Sequence, residues 1–455
     1  MKKRMCKIMA LAMTAAMVVP MAAQTTAFAA DDKEITYWNI AVESPDKDIV
    51  TAAVDKFNKE TKSGYTVNQV AIQNDTYKEK LVIAMSSGEC PDMYSSWSGG
   101  PMYEYIDSGF AQPIDDLLDQ SDIKDKLLDA AIEQGSYNGH VYAIPYLNVT
   151  LAGIFYNKDM FKQYGLEEPK TLADLENICA TLKENGITPF ALANASKWTG
   201  SMYFMSLAAR YGGLEPFQNA VAGTGKFTDD CFIKAGEKIQ EWVNNGYFPD
   251  GVNSLSEDDG QAKQLMYQET AGMLLGGSFY TGTFQTDSEE FYQKIGWFPV
   301  PAIDDSDADP TIQIGTVGDQ FICFNCEGDK LAAAFECAAD HLSDEVEDMI
   351  YSPGKIAPVK DAGDHIKDPV VKEIFDAAQE ASSIQLWYDQ YLPTSVASAH
   401  LDGLQEVFGL TKTPQEAQEE MQKAMDEYLS TKSDSGAADD TAEEATDDAA
   451  ADDAE

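Results

Sequence analysis

The sequence predicts an α/β protein of two lobes, and three features carry that expectation. Strand-like runs alternate with segments of helical period along most of the chain. The length, 455 residues, exceeds what one hydrophobic core ordinarily serves. The Pro/Gly-rich stretches are short, so no long flexible linker separates two independent domains, and several chain crossings between lobes are expected instead.

The elements follow in order. "ITYWNI" (35–40) reads as the strand that opens the folded chain. In "SPDKDIVTAAVDKFNKETKSG", Ser44 is placed to cap a helix and Pro45 to open it. Ile49, Val50, Ala53, Val54 and Phe57 recur at helical spacing, and Gly64 ends the segment. "YTVNQVAI" is a second strand. "TYKEKLVIAMSSGECPDMYSSW" is a helix stopped at Gly88, then a short strand leading to Trp97. Farther on, "GIFYNKDMF" is a strand running into a turn, with Tyr156 in the strand core. "KTLADLENICATLKENGI" is a helix capped by Thr171, with Leu175, Ile178 and Leu182 on one face and Gly186 as its stop. "TPQEAQEEMQKAMDEYL" begins with a capping box: Thr413 caps, Pro414 opens the helix and Glu416 reaches back. Ala417, Met421, Met425 and Tyr428 mark its buried side.

Charge and termini narrow the function. A formal charge of −45 argues against nucleic acid as a partner and against unaided binding to an anionic membrane. The charge is not spread evenly: the segment 433–455 is built of acids, Ala, Thr and Ser with no large apolar residue, which predicts a disordered tail. The first 29 residues have a basic start (Lys2, Lys3, Arg4), an apolar run broken at Pro20, and small residues at Ala27 and Ala29. That is the pattern of a secretory signal peptide. Cys6 precedes the apolar run and would leave with the peptide. The other six cysteines, Cys90, Cys179, Cys231, Cys323, Cys326 and Cys337, read as small buried side chains rather than zinc or redox sites.

Several chemistries are sought and not found. "VAGTGKFT" lacks the first Gly of a phosphate loop and carries Phe227 where a hydroxyl should bind magnesium. "DDSDADP" puts Pro310 where a calcium loop needs Gly and Thr316 where it needs Glu. The four histidines show no metal-ligand spacing. No G-x-S-x-G elbow is present. No cofactor and no metal are expected. The informative cluster is instead "LWYDQ": Trp387, Tyr388 and Asp389 side by side. Flat rings suit the C–H faces of a sugar, and a carboxylate suits its rim of hydroxyls.

Ordered fragments then match a known family. "SSGECPDMYSSWSGGPMYEYIDSGFAQPIDDLL" and "VYAIPYLNVTLAGIFYNKDMFKQYGLEEPKTLADL" resemble the family 1 extracellular solute-binding proteins, the ligand-capturing components of ATP-driven importers, mostly for sugars. Tyr156, Asn157, Lys158, Asp159, Phe161, Gly165, Pro169, Thr171 and Leu175 stand at motif positions, while Ala143 replaces the usual Gly. "TAGMLLGGSFYTG" is similar to another motif, with Phe279 and Tyr280 where the family has Trp. "GKIAPV" and the closing helix pair complete the set, and the resemblance runs from about residue 35 to 428.

The resemblance implies a two-lobed periplasmic-binding-protein-like fold (type II) with a multi-crossing hinge. Lobe 1 would hold residues 31–147 and 317–345, and lobe 2 residues 148–316 and 346–430. It implies a non-catalytic, exported and monomeric protein. Such a protein closes on a mono- or oligosaccharide and presents it to the permease subunits of an ABC importer. By motif position the binding residues would be Glu43, Ser96, Trp97, Asn148, Thr150, Trp198, Ser278, Phe279, Tyr280 and Asp319, joined by Trp387, Tyr388 and Asp389. Gly276 and Gly277 would permit close approach of the backbone. Two other readings share these features: a binder of a non-sugar solute such as a peptide or polyamine, and a secreted carbohydrate-active enzyme.

The amino terminus gives a direct test. The exported protein should begin near Ala30 and carry no lipid, which intact mass and terminal sequencing measure. A retained Met1 or a lipid on Cys6 contradicts the reading.

Overall fold

The computed structural model describes residues 33–318 and 320–447, with side chains described to residue 432. The expected signal peptide and Asp319 lie outside the described residues. In chain order the strands are β1 (Glu34–Asn39), β2 (Thr66–Ala71), β3 (Met93–Ser96), β4 (Ser136–Tyr137), β5 (His140–Val141), β6 (Ala143–Tyr146), β7 (Thr150–Asn157), β8 (Thr188–Phe190), β9 (Ala271–Gly277), β10 (Ile295–Phe298), β11 (Gln313–Thr316), β12 (Gln320–Phe324) and β13 (Ile384–Gln385). They form two mixed sheets and one small hairpin, β4–β5.

The first sheet runs β2-β1-β3-β12-β6. β1 lies parallel to β2 and β3, and β12 is antiparallel to β3 and β6. The helix Asp46–Glu60 covers it with Ile49, Val50, Ala53, Val54 and Phe57, the residues whose spacing marks them in the sequence. The second sheet runs β13-β11-β7-β9-β8, with β10 also pairing β7. The helices Leu172–Glu184, Trp198–Gly212 and Thr394–Phe408 pack their apolar sides into its core.

Local rules explain most boundaries. Thr171 and Asp174 form a reciprocal capping box. Thr413 and Glu416 form another, with bonds of 2.9 and 3.2 Å between each side chain and the other's N–H. Gly88 ends its helix in the left-handed region at φ 73°. Three details differ from the sequence reading. Ser44 does not cap a backbone N–H; its hydroxyl donates to the Asp48 carboxylate at 2.7 Å. The first helix stops at Glu60, before Gly64. The expected turn after β7 is a helix, Lys158–Tyr164, because the Asn157 side chain accepts from the N–H groups of Asp159 and Met160.

The lobes meet where the chain crosses. β6 passes into β7 through residues 147–149, and Leu147 there takes φ 70°, uncommon for a non-glycine residue. The Val149 N–H donates to the Ile356 carbonyl at 2.7 Å, and the Ile356 N–H donates to Asn148 Oδ1 at 2.7 Å. The third crossing comes later than the sequence suggests. The helix Asp344–Tyr351 packs on Asp46–Glu60 of the first lobe, and Val359 bridges Leu127. The return to the second lobe therefore follows residue 360 rather than 345. The final helix runs Pro414–Asp447, past residue 433 where composition predicts disorder. All six cysteines among the described residues are free, and only Cys90 is not fully buried.

Two buried histidines tie the fold to pH. His341 lies edge-on to Tyr37 and Tyr146, its Nδ1 3.0 Å from the Cys337 carbonyl. The Nε2 of His400 lies 2.7 Å from the Ser201 hydroxyl. Burial lowers His341 to about 4 and His400 to about 3. Both are neutral in the fold and charge more readily unfolded, so their contribution is complete above pH ~6.5 and is lost as pH falls toward the folded values. His400→Asn, which retains a partner for Ser201, should reduce the slope of unfolding free energy between pH 6.5 and 4 by up to about 1.4 kcal/mol per pH unit. Denaturant titrations across that range provide the check, and an unchanged slope contradicts it.

Candidate functional site

The main cavity opens beyond the C-terminal ends of β1, β3 and β9, where crevices form in open α/β sheets. Its volume is about 250 Å³. From the first lobe come the loop after β1, with Glu43 and Asp46, Lys78 on the helix Asn74–Ser87, and Trp97 just after β3. From the second lobe come Trp198 and Met202, Glu257 and Asp258, Phe279 and Tyr280, and the turn carrying Trp387 and Asp389.

Each aromatic is held by identifiable packing. Phe279 and Tyr280 follow the Gly276–Gly277 pair, and a Cβ on either glycine would occupy the place of one of these rings. The close approach that the glycines permit is therefore to these two rings. Trp198 opens its helix after Lys197, whose φ of 63° and ψ of −45° are strained for a lysine. Asn194 fixes the turn by accepting the Gly200 N–H at 3.0 Å, and Trp198 meets Phe279 edge to face, 6.3 Å between centroids. Trp97 packs edge-on against Tyr77, and the Lys78 ammonium sits 4.8 Å from its ring centroid. Trp387 is only 3% exposed, with one side in the second-lobe core.

The charges lining the cleft are paired, some of them across it. Lys78 lies 3.6 Å from Asp389, and Lys263 lies 3.5 Å from Glu43 and 2.9 Å from Asp287. Lys355 contacts Asp46. Asp258 accepts the Asp75 N–H at 3.2 Å. Glu257 is half-buried as a residue, but its carboxyl is enclosed: the Tyr280 hydroxyl donates to Oε1, and Oε2 is buried without a partner among the described residues. Burial pushes this carboxyl up to about 8 despite the Tyr280 bond and the nearby Lys263.

Seven of the residues singled out in the sequence line this cavity: Glu43, Trp97, Trp198, Phe279, Tyr280, Trp387 and Asp389. Five do not. Asn148 and Thr150 bond to one another at 3.1 Å and brace the crossing, and the Ser278 hydroxyl accepts the Leu151 N–H at 3.2 Å. Their polar groups serve buried backbone, which must find partners. Tyr388 points away from Trp387 into the core, stacked on Phe217 at 4.2 Å. Ser96 lines an adjoining cavity of about 210 Å³, which shares Lys78, Trp97, Asp389 and Gln390 with the first. Asp319 is outside the described residues. Lys78, Met202, Glu257 and Lys263 are wall residues that sequence reasoning missed. They lie among other charged or apolar residues, with no local pattern to mark them.

Comparisons now place the chain. The profile of the bacterial extracellular solute-binding protein family matches residues 41–336. An uncharacterized ABC transporter extracellular-binding protein of Pyrococcus horikoshii is 31% identical over 228 residues, which is 50% of each chain. The chain spans about half the length of the curated relatives it matches. A solved structure from work on xylan utilization by the thermophilic bacterium Caldanaerobius polysaccharolyticus superimposes with a TM-score of 0.78 at 29% identity, covering 86% of this chain and 99% of that one. A chitin oligosaccharide binding protein superimposes at 0.79 with 23% identity, over 87% and 98% of the two chains, a likeness of fold.

Aromatics of the core and of the cavity wall should therefore separate in mutagenesis. Tyr388→Ala should cost about 3–5 kcal/mol of stability, as for other buried aromatics, with solute affinity within about threefold of wild type, ~0.7 kcal/mol. Trp97→Ala should lower affinity about tenfold or more with a small change in unfolding midpoint. Paired calorimetry and thermal unfolding measure both, and equal behaviour of the two variants contradicts the assignment.

Proposed function

The chain belongs to the bacterial extracellular solute-binding protein family, and from that premise we propose that it captures a carbohydrate between its lobes and delivers it to an ABC importer permease. The observation that carries this reading is the cavity wall, where five large aromatics, Trp97, Trp198, Phe279, Tyr280 and Trp387, surround a set of hydrogen-bonding groups. Rings cover the C–H faces of a pyranose, and the polar groups meet its hydroxyls. The main cavity is smaller than the ~300–1,000 Å³ of sites for drug-sized ligands, which suits a short sugar. The adjoining cavity, across the Lys78–Asp389 contact, gives room for an oligosaccharide to extend.

The pairing of charges favours a neutral solute over a polyamine. Asp389, Glu43 and Asp46 each have a lysine beside them. Glu257 holds its proton near neutral pH because burial raises it to about 8. Little uncompensated negative charge is left to attract a cation. The several crossings between the lobes form a hinge, and closure around the sugar assembles the surface that a permease reads. Delivery to a permease requires export, for which residues 1–29 are the signal.

The reading is tested by calorimetry with raffinose, xylotriose, N,N′-diacetylchitobiose and spermidine. Saturable one-to-one binding of a sugar that is recovered intact is expected, and Trp387→Ala should weaken it by roughly 2 kcal/mol or more. Binding of spermidine with no sugar bound, or cleavage of the sugar, contradicts the proposal.

A further inference from the structure

A recess of about 10 Å³ opens beside the main cavity and shares Trp198, Met202, Glu257 and Tyr280 with it. That volume holds about one water-sized group. Much of the rest of its wall is apolar, contributed by residues such as Ala191, Leu274 and Leu275. Two polar atoms on residues of this recess are buried with no partner among the described residues: the indole Nε1 of Trp198, a donor, and Glu257 Oε2. Unpaired buried groups of this kind are uncommon, and each costs free energy until it finds a partner.

We propose that this recess reads one hydroxyl of the bound sugar, the Trp198 indole N–H donating to the hydroxyl oxygen and the hydroxyl donating to the Glu257 carboxyl. The inference rests on the carbohydrate reading and adds the specificity-determining pair. A hydroxyl is the small group that accepts one hydrogen bond and donates another. A methyl fits the volume but leaves both protein atoms unpaired, so a deoxy sugar is rejected. The backbone supports this role. The strained Lys197 turn and the Asn194 bond to Gly200 set the indole, and the Tyr280 hydroxyl on Oε1 sets the carboxyl.

Proton linkage follows. The ionisable groups bearing on Glu257 are Tyr280 and Lys263, which favour the charged form, and Asp258 and Asp75, which oppose it. Without sugar the carboxyl keeps its proton up to about 8. A hydroxyl that donates to it favours the carboxylate, so binding at neutral pH releases a proton. Affinity therefore rises as pH increases toward 8 and levels off above it.

The experiment uses the full chain with whichever of raffinose, xylotriose and N,N′-diacetylchitobiose binds the wild type most tightly. Glu257→Gln and Trp198→Phe should each weaken binding roughly tenfold, the scale of one hydrogen bond to a charged or buried group. The double variant should lose little more than either single variant, because both serve one hydroxyl. The rise of affinity between pH 6 and 8 should disappear in Glu257→Gln. Additive losses, or a pH profile unchanged in Glu257→Gln, overturn the proposal. If the recess only encloses a structural water, both variants lower the unfolding midpoint and leave affinity and its pH profile intact, which also overturns it. Wild type that binds none of the three sugars overturns the carbohydrate reading itself.

Discussion

Backbone satisfaction at the lobe crossing is the constraint on which the rest of the structure depends. β7 is buried at all eight residues and pairs with β9, β10 and β11. It begins only three residues after β6 leaves the other sheet. Residues 147–149 are buried, so their polar groups must find partners within the protein. The Ile356 carbonyl accepts the Val149 N–H, the Ser278 hydroxyl donates to the Val149 carbonyl at 3.3 Å, and Asn148 Oδ1 accepts the Ile356 N–H in return. Glycines make the fit possible: the Trp297 indole occupies the space a Cβ on Gly153 would need, and the Thr150 carbonyl does the same at Gly315. The same strand that fixes the second sheet thereby fixes where both sheets end, and the cavity lies at those ends.

The site uses two kinds of residue in different ways. The aromatics are preorganised by packing: Phe279 and Tyr280 lie back over glycines, Trp97 leans on Tyr77, and Trp387 is anchored in the core. Rigid rings lose little conformational freedom when a ligand arrives. The charged groups are instead held by partners on the opposite lobe, Lys78 with Asp389 and Lys263 with Glu43. Preorganised rings and lobe-aligning charges are thus separate sets of side chains.

Much of the fold is legible in the sequence because its signals are local. Capping at Thr171 and Thr413, the stop at Gly88 and the buried face of Asp46–Glu60 each arise within a few residues. The aromatic wall residues are legible as far as motif positions mark them. What fails is the inference from neighbours in sequence to neighbours in space. Trp387 and Tyr388 are adjacent, yet one faces the cavity and the other stacks on Phe217. Asn148, Thr150 and Ser278 have the chemistry of ligand contacts, but the same chemistry satisfies a buried backbone, and sequence does not separate the two uses. Glu257 is invisible for the opposite reason. It is one acid among 77, and only the three-dimensional enclosure that raises it to about 8 sets it apart.

The contacts that close the cleft also bear on how it opens. Lys78–Asp389, Lys263–Glu43, the Asp75 N–H to Asp258, and the Thr394 hydroxyl to Glu104 at 2.6 Å join the lobes. Most are partly solvent-exposed, and exposed ion pairs contribute only about 0–1 kcal/mol each. Salt weakens them further. Such contacts orient the lobes without locking them. Apolar burial contributes more, at about 25 cal/mol per Å², and the rings that would supply it, Trp97 on one lobe and Trp198, Phe279 and Trp387 on the other, meet across the cavity. A solute placed between them joins the two sets of rings into one buried surface. On the proposed reading, weak polar latches and apolar burial that depends on a ligand make closure conditional on occupancy.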